Sequence, residues 1–350
     1  SSFYDILGKI MKYHILLINL ITFTLASTPF YYGFSFSNGY DNNVLRLSSS
    51  EVKEINSNMT FIDGIDKLDS YISKFGFKVD KTIYIQNKKE VLGKINASFS
   101  NFHQNEYKKY WSGGFDFIYK WGSYKNLKYS LRHLNNFYLR HYINRDISIT
   151  QNEPCLFTDQ NQKITLTHPI KRRLWINFTT GFLQRYYNDP FQEFDLDIYY
   201  LRFKLNKKVN KIGQVAIQLE SGNANSTSIT NNHRPSFFDR SYDYLEWYIP
   251  LILKLKLKEI KQIGFSIRIE NRMYEAEDLN DPLHSGRDHH DIKYDLWALY
   301  KINPNVSIRF STRYRERMTY SQYKWVSSLK SFNQLQTWLK LEWNLLYDKY

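Results

Sequence analysis

Cysteine is almost absent from this chain, which has a single copy, Cys155, among 350 residues. One cysteine cannot form an internal disulfide bond, and the chain has no CxxC motif for a metal or redox site. Cys155 lies in a polar stretch that we predict to be a loop, far from the N-terminus, so it is not the lipidated cysteine of a lipoprotein. We interpret it as a free thiol with no assigned role.

Long apolar runs are also missing. A membrane-spanning helix needs about 20 consecutive, predominantly apolar residues, and the sequence has no such run and a mean hydropathy of −0.55. This excludes a helical membrane protein. It does not exclude a membrane β-barrel, because barrel strands alternate apolar and polar residues and so keep the mean hydropathy low.

The chain lacks the usual motifs of nucleic-acid-binding and catalytic proteins. Its net charge of +14 suits nucleic-acid binding, but there is no basic helix, RNP-like run or zinc-finger spacing. The abundance of Lys, Asn, Ile, Tyr and Phe is typical of an AT-rich coding sequence, which explains the charge without a nucleic-acid partner. No G-x-S-x-G, H-E-x-x-H or phosphate-binding glycine loop is present. We therefore expect no enzyme, no cofactor and no nucleic acid.

Residues 11–27 have the three-part layout of a secretory signal peptide: a short basic start, an apolar core from Ile15 to Leu25, and small residues at the end. We predict that this segment is removed and that residues 28–350 form one domain. Residues 1–10 are interpreted as upstream sequence outside the fold. The alternative for these ten residues is a buried first strand or a core helix.

Apolar residues recur at every second position over long stretches. Phe115, Phe117 and Tyr119 share one face of a segment, with Asp116 and Lys120 on the other. A period of two predicts β-strands, since helices need three- and four-residue spacing. We predict an all-β, antiparallel up-and-down barrel of about 14 strands. The predicted strands span approximately residues 31–47, 70–80, 91–102, 111–121, 125–143, 162–168, 172–187, 193–206, 211–221, 242–258, 260–272, 291–303, 305–317 and 332–347.

The connections between the predicted strands are alternately short and long. The predicted tight turns are Gly122-Ser123, His168-Pro169, Asn206-Lys207-Lys208, Lys258-Glu259 and Asn303-Pro304-Asn305. The long polar connections are residues 48–69, 144–161, 222–241, 273–290 and 318–331. Both termini then fall on the side of the short turns.

These features together resemble bacterial outer-membrane β-barrel proteins as a class. The resemblance rests on the signal sequence, the aromatic alternating strands, and a last strand that ends in Trp343, Leu345 and Tyr347. The stretch from Gly39 to Val44 is also similar to the opening strand of many such barrels. The resemblance covers almost the whole mature chain and indicates no specific family. It implies a bacterial outer-membrane location with both termini in the periplasm, outer-membrane lipid around the barrel, and the barrel-assembly machinery as a partner.

One segment departs from the alternating pattern. Phe61, Ile65 and Leu68 have helical spacing. We predict a short helix within residues 60–70, followed by a strand. A plug or a periplasmic helix is the alternative.

Charged residues are concentrated on the polar faces of the last four predicted strands. If Ile and Leu face lipid, these charges face the lumen, because a charge on the lipid face costs about 2–4 kcal/mol near the midplane. The candidate lumen-lining residues are Arg268, Glu270, Arg272, Lys293, Asp295, Arg309, Arg313, Arg315, Lys340 and Glu342. Rings of charge set pore selectivity, so one interpretation is a lining selective for small anionic solutes. The other is a salt-bridged network that fills the barrel.

The densest group of histidines and carboxylates lies between His284 and Asp291. Imidazole and carboxylate together can bind zinc or another divalent ion. The weak metal-binding candidates are His284, Asp288, His289 and His290. Their spacing matches no standard motif, and a solvated loop explains them more simply, so we expect no metal site.

The sequence thus predicts a passive or solute-selective pore with a charged lumen. The alternative is a plugged structural or surface-interaction barrel that acts through its extracellular loops. An enzyme in the barrel mouth is less favoured, because nothing in the sequence fixes the geometry of a catalytic group. The solute and the oligomeric state are not determined by these patterns.

Overall fold

The structure is a computed structural model that describes residues 28–57, 67–144, 147, 151–227, 239–255, 260–278 and 280–347. The predictions for residues 1–10 and 11–27 lie outside the described residues. The described part of the chain forms 14 strands. These are β1 (Phe30–Asp41), β2 (Ser70–Gln86), β3 (Lys89–Phe102), β4 (Tyr110–Gly122), β5 (Lys125–Ile143), β6 (Asn152–Lys171), β7 (Leu174–Tyr187), β8 (Leu196–Val209), β9 (Gly213–Ser226), β10 (Tyr242–Lys254), β11 (Ile260–Tyr274), β12 (Asp288–Lys301), β13 (Val306–Tyr320) and β14 (Phe332–Tyr347).

The strands close into a barrel in which every strand pairs antiparallel with its neighbours in sequence. The last strand returns to the first: β14 pairs with β1 from Phe30↔Tyr347 to Asp41↔Gln336. Closure matters in lipid, because an open sheet edge would expose backbone N–H and C=O groups that no water can satisfy. The predicted all-β, up-and-down barrel of about 14 strands is confirmed.

The barrel is apolar outside and charged inside, the reverse of a soluble protein. Large exposed side chains on the outer face include Phe34, Phe75, Phe99, Leu339 and Trp343. Buried residues on the inner face include Asp116, Glu246, Glu270, Asp291 and Arg315. This distribution is the architecture of an outer-membrane β-barrel, where lipid contacts the outer face. Among the described residues, no helix is long and apolar enough to cross a membrane.

Short turns join the strands at one end of the barrel and longer loops at the other, as predicted, but two of the predicted turns are wrong. His168-Pro169 lies inside β6, and Asn206-Lys207-Lys208 lies inside β8. Pro169 is accommodated next to a register shift in the β6–β7 ladder, where a residue without an N–H is tolerated. The turn comes later, at residues 172–173, where Arg173 has a φ of +64°. The predicted turn at Lys258-Glu259 lies outside the described residues.

The loop predicted for residues 144–161 is mostly strand. Strand β6 begins at Asn152, so Cys155 is a strand residue and is fully buried rather than in a loop. Its side chain lies on the inner face near Glu193 and Arg240 of the neighbouring loops. The polar composition misled the prediction because inward-facing barrel positions are polar as well.

The chain folds into the barrel immediately after β1. Strand β1 ends at Asp41, not near residue 47, and residues 42–57 form what we call the inserted segment. Val44 packs against Ile72 and Phe102, which face inward from β2 and β3. Residues of the inserted segment thus build a small apolar core inside the long-loop end of the barrel.

A helix begins within the inserted segment, earlier in the chain than predicted. This helix, α1, spans Ser49–Ser57. Ser48 and Glu51 form a capping box: the Ser48 Oγ atom accepts the Glu51 N–H at 3.2 Å, and Glu51 Oε2 accepts the Ser48 N–H at 2.8 Å. Residues 60–66 of the predicted 60–70 helix lie outside the described residues, and the end of this segment is not helical, since β2 begins at Ser70. A second helix, α2 (Lys324–Lys330), lies in the β13–β14 loop and contacts α1.

Candidate functional site

A row of directly paired charged residues crosses six strands on the inner face. From β8 to β13 the row runs through Arg202, Glu220, Glu246, Glu270, Asp291 and Arg317. Four carboxylates in adjacent positions repel one another, because like charges directly opposite destabilise a sheet. All four are buried, so the row depends on cations from the rows on either side.

Asp291 has the most complete set of cationic partners. Its Oδ1 atom accepts a hydrogen bond from Arg315 Nε at 2.9 Å, and its Oδ2 atom accepts one from Arg317 Nη2 at 2.8 Å. The Nζ atom of Lys293 is 3.6 Å from Oδ1. The Asp291 side chain is only 1% exposed. Charge-assisted bonds of this kind compensate the cost of burying a carboxylate.

Each of the other three carboxylates also has a partner. The ion pairs are Arg272 with Glu270, Arg268 with Glu246 and Arg202 with Glu220. The hydroxyl group of Tyr244 donates a further hydrogen bond to Glu220 at 2.9 Å. We call these residues of β8–β13 the charged wall. Its side chains brace this half of the barrel against one another.

The charged wall contains half of the residues proposed from the sequence as lumen lining. Those residues are Arg268, Glu270, Arg272, Lys293 and Arg315. Sequence reasoning missed Arg202, Glu220, Glu246 and Arg317, which belong to the same row. Their signal was present, since each lies on the polar face of an alternating strand, but only the register shows which of these faces share a row.

The other five candidates lie on the inner face further along β12, β13 and β14. Arg313 Nε is 2.6 Å from Asp295 Oδ1, and Lys340 Nζ is 2.6 Å from Glu342 Oε1. The Arg309 guanidinium stacks over the Trp297 ring, 4.3 Å from its centre. Except for Asp295, these candidates line a cavity.

The cavity has a volume of about 570 Å³ and lies against β13, β14 and β1–β4. Small side chains leave the room for it: Ser35, Gly76 and Ser98 are directly paired in one row. A Cβ atom at Gly76 would lie 2.5 Å from the Ser35 Oγ atom. We call this space the chamber.

The chamber is strongly cationic. Its basic lining residues are Arg46, Lys74, Lys78, Lys108, Arg309, Arg313 and Lys340, against two carboxylates, Asp41 and Glu342. Aromatic rings line it as well, among them Phe102, Tyr110 and Trp338. Val44 and Arg46 of the inserted segment close it toward the long loops, and Gly33 and Lys78 lie toward the short turns.

Two of these cations lie in loops: Lys108 is buried and Arg46 is partly buried. Burial, together with the neighbouring Arg46, lowers the pKa of Lys108 to about 7. Burial also lowers the pKa of Arg46 to about 9, helped by Arg315 and Arg317. Cations of the inserted segment, the β3–β4 loop and the charged wall therefore lie close enough to lower one another's pKa.

The weak metal-binding candidates are not brought together. His284 Nδ1 is 2.7 Å from Asp281 Oδ2, and burial lowers the pKa of His284 to about 4. His289 pairs with Thr319 at 2.8 Å, His290 contacts Asn271, and Asp288 is exposed. Within the described ranges, no group of three or more His, Cys, Asp or Glu side chains is placed to hold a metal ion.

Comparisons with known proteins identify similar barrels but no family. No family model matches the chain, and no curated protein matches it. Among solved structures, it is similar to a loop L8 deletion mutant of OmpT, an outer membrane protein of Vibrio cholerae, at 9% identity and a TM-score of 0.47, covering 91% of this chain and 99% of that one. It is also similar to the outer membrane channel DcaP of Acinetobacter baumannii, at 10% identity and a TM-score of 0.46, covering 90% and 96%. Acinetobacter baumannii OccAB3 matches at 7% identity and a TM-score of 0.44, covering 92% and 100%.

Proposed function

We propose that this protein is a solute-selective pore of the bacterial outer membrane that favours small anions. The observation that carries the proposal is the chamber, where seven cationic side chains face two carboxylates. Charges that line a pore set the sign of the ions it passes. The inserted segment lies inside the barrel at the long-loop end, and the charged wall lines β8–β13. Solute then passes along β13, β14 and β1–β4.

The apolar outer face supports the location, since lipid is the medium that such a surface requires. The short turns, the start of β1 and the end of β14 lie at one end of the barrel. We assign this end and both chain termini to the periplasm, as is usual for this architecture. Outer-membrane lipid and the barrel-assembly machinery are the partners that follow from this location.

Planar-bilayer recording of the refolded protein tests the proposal. We expect discrete channel currents, and in a KCl gradient a reversal potential that shows higher permeability for chloride than for potassium. The Lys74→Glu variant reverses one charge in the chamber and lowers the chloride preference. Lys211→Glu, on the exposed β8–β9 turn, is the matched control and leaves the preference unchanged. Currents with no preference for chloride would sink the anion proposal.

One observation favours a second function, a plugged barrel that acts through its extracellular loops. The inserted segment is firmly packed, with Val44 only 1% exposed, and it lies inside the long-loop end. The same recording separates the two functions, because a plugged barrel passes no current. Removal of residues 43–57 would then open a conducting pore.

A further inference from the structure

Within the described part of the chain, no carboxylate lies within salt-bridge distance of the Arg46 guanidinium. Its side chain lines the chamber from the tip of the inserted segment, where the backbone has a φ of +57°. Among the described residues it forms no salt bridge, and its Nε atom is buried without a hydrogen-bond acceptor. An unsatisfied buried donor costs about 1–3 kcal/mol. A structure normally avoids this cost by supplying an acceptor.

The nearby carboxylates are already engaged. Asp41 accepts hydrogen bonds from the side-chain amides of Gln334 and Gln336, each at 2.8 Å. Asp291 binds the two guanidinium groups of β13 described above. Neither is within salt-bridge distance of Arg46. The charge of Arg46 is therefore left for something that enters the chamber.

The surroundings of Arg46 add to the excess of positive charge. Lys108 is 4% exposed, and the low pKa values of Lys108 and Arg46 both reflect burial near other cations. An anion bound between them would offset that repulsion. The chamber volume of about 570 Å³ is within the range of small-molecule sites.

We propose that the tip of the inserted segment and the chamber wall form an oxyanion-binding site, in which Arg46 binds the carboxylate or phosphate group of a small solute. The fork of N–H groups on a guanidinium matches the two oxygens of such a group. Lys74 and Arg309 supply the surrounding positive charge, and Lys108, with a pKa of about 7, adds to it at lower pH. This proposal adds a binding site to the proposed pore function and rests on that function, since solute reaches Arg46 through the chamber.

Isothermal titration calorimetry tests the site on the refolded protein in detergent, with inorganic phosphate and acetate at fixed ionic strength. We expect saturable binding of at least one anion, weakened threefold or more by Arg46→Gln. Arg172→Gln removes an arginine from the exposed β6–β7 turn and should change binding less than twofold. Binding of phosphate alone, acetate alone or both identifies the preferred group. No saturable binding, or a loss below threefold in Arg46→Gln, overturns the proposal.

A heat-modifiable gel shift shows whether Arg46→Gln folds. If it does not fold, a second measurement tests the site without a variant. Crystals of the unmodified protein soaked in selenate should show an anomalous peak within hydrogen-bonding distance of Arg46. A soak that shows no peak there overturns the site. Failure of the site and failure of the pore differ: current without anion binding removes only the site, whereas anion binding without current removes only the pore.

Discussion

The Nζ atom of Lys108 donates a hydrogen bond to the main-chain oxygen of Val44, at 2.6 Å. The two residues are 64 positions apart, and the bond joins the β3–β4 loop to the inserted segment. Lys108 is enclosed by the rings of Phe102 and Phe137, with its Nζ 5.7 and 4.9 Å from their centres. A cationic side chain in so enclosed a place makes the docking of the segment sensitive to pH.

Docking of the inserted segment should strengthen as the pH rises from about 7 to 10.5. The pKa of Lys108 is about 7 when docked and 10.5 in its ordinary, solvated state. Between these pH values, Lys108 is protonated when the segment is released and neutral when it is docked. Each unit by which the pH falls therefore makes the free energy of docking less favourable by about 1.4 kcal/mol. Below pH 7 both states are protonated and the cost is constant.

Hydrogen exchange of residues 43–57, corrected for the intrinsic pH dependence, measures this effect. Lys108→Met should abolish the pH dependence of local opening. Lys109→Met, at the exposed neighbouring position, should retain it. Equal pH profiles for the two variants would show that Lys108 does not control docking.

The ion pair between Arg140 and Glu51 should hold α1 inside the barrel. Arg140 Nη1 is 2.7 Å from Glu51 Oε1, and both side chains are largely buried. Glu51→Gln removes the charge and also weakens the capping box with Ser48, so we expect local opening to become easier by about 1–3 kcal/mol. Hydrogen exchange measures the change, and bilayer conductance should rise. Lys53→Gln, on the exposed side of α1, is the control. If hydrogen exchange in Glu51→Gln were as slow as in the unmodified protein, the prediction would be contradicted.

Asp291→Asn should destabilise the whole barrel. The change leaves Arg315 and Arg317 buried without their shared carboxylate, and breaking a buried ion pair costs about 3–5 kcal/mol. The urea concentration at the midpoint of unfolding, measured by the heat-modifiable gel shift, should fall. Asp288→Asn removes an exposed carboxylate three positions away and should leave the midpoint in place. Similar midpoints for both variants would mean that the charged wall does not brace the fold.

Cys155 should not react with thiol reagents in the folded protein. Its side chain is 0% exposed, and a buried thiol is protected from attack. Ellman's reagent should label it only after denaturation. A Cys155→Ser, Ser123→Cys double variant places the thiol on an exposed turn and should react at once. Rapid labelling of Cys155 in the folded protein would show that the barrel opens locally around β6.

The strand count and the alternation of short and long connections were predictable because each is local. A period of two fixes the two faces of a strand wherever it occurs, as from Phe115 to Tyr119. Turn positions were less predictable, because Pro169 normally indicates a turn but here occupies a register shift within β6. The polar stretch around Cys155 was predicted to be a loop for a related reason, since an inward-facing barrel strand has a similar composition.

The candidate site was predictable only in part. Arg268, Glu270 and Lys293 stood out in single strands, yet the partner Glu246 became clear only from the register across the sheet. The inserted segment was not predicted at all. Its path depends on contacts with residues far along the chain, such as Asn333, whose carbonyl oxygen accepts a hydrogen bond from Asn43 Nδ2 at 2.9 Å.

The sequence by itself determined a β-barrel with an apolar outer face, because alternation and length act within each strand and lipid permits only closed sheets. The tertiary structure decided where the barrel interior is filled and where it is empty. Paired charges line the side of β8–β13, small residues leave a chamber along β1–β4, and the inserted segment places Arg46 in the lining of that chamber. These features depend on which side chains come into contact across the barrel. Strand register and the path of the chain determine those contacts, and no local sequence pattern does.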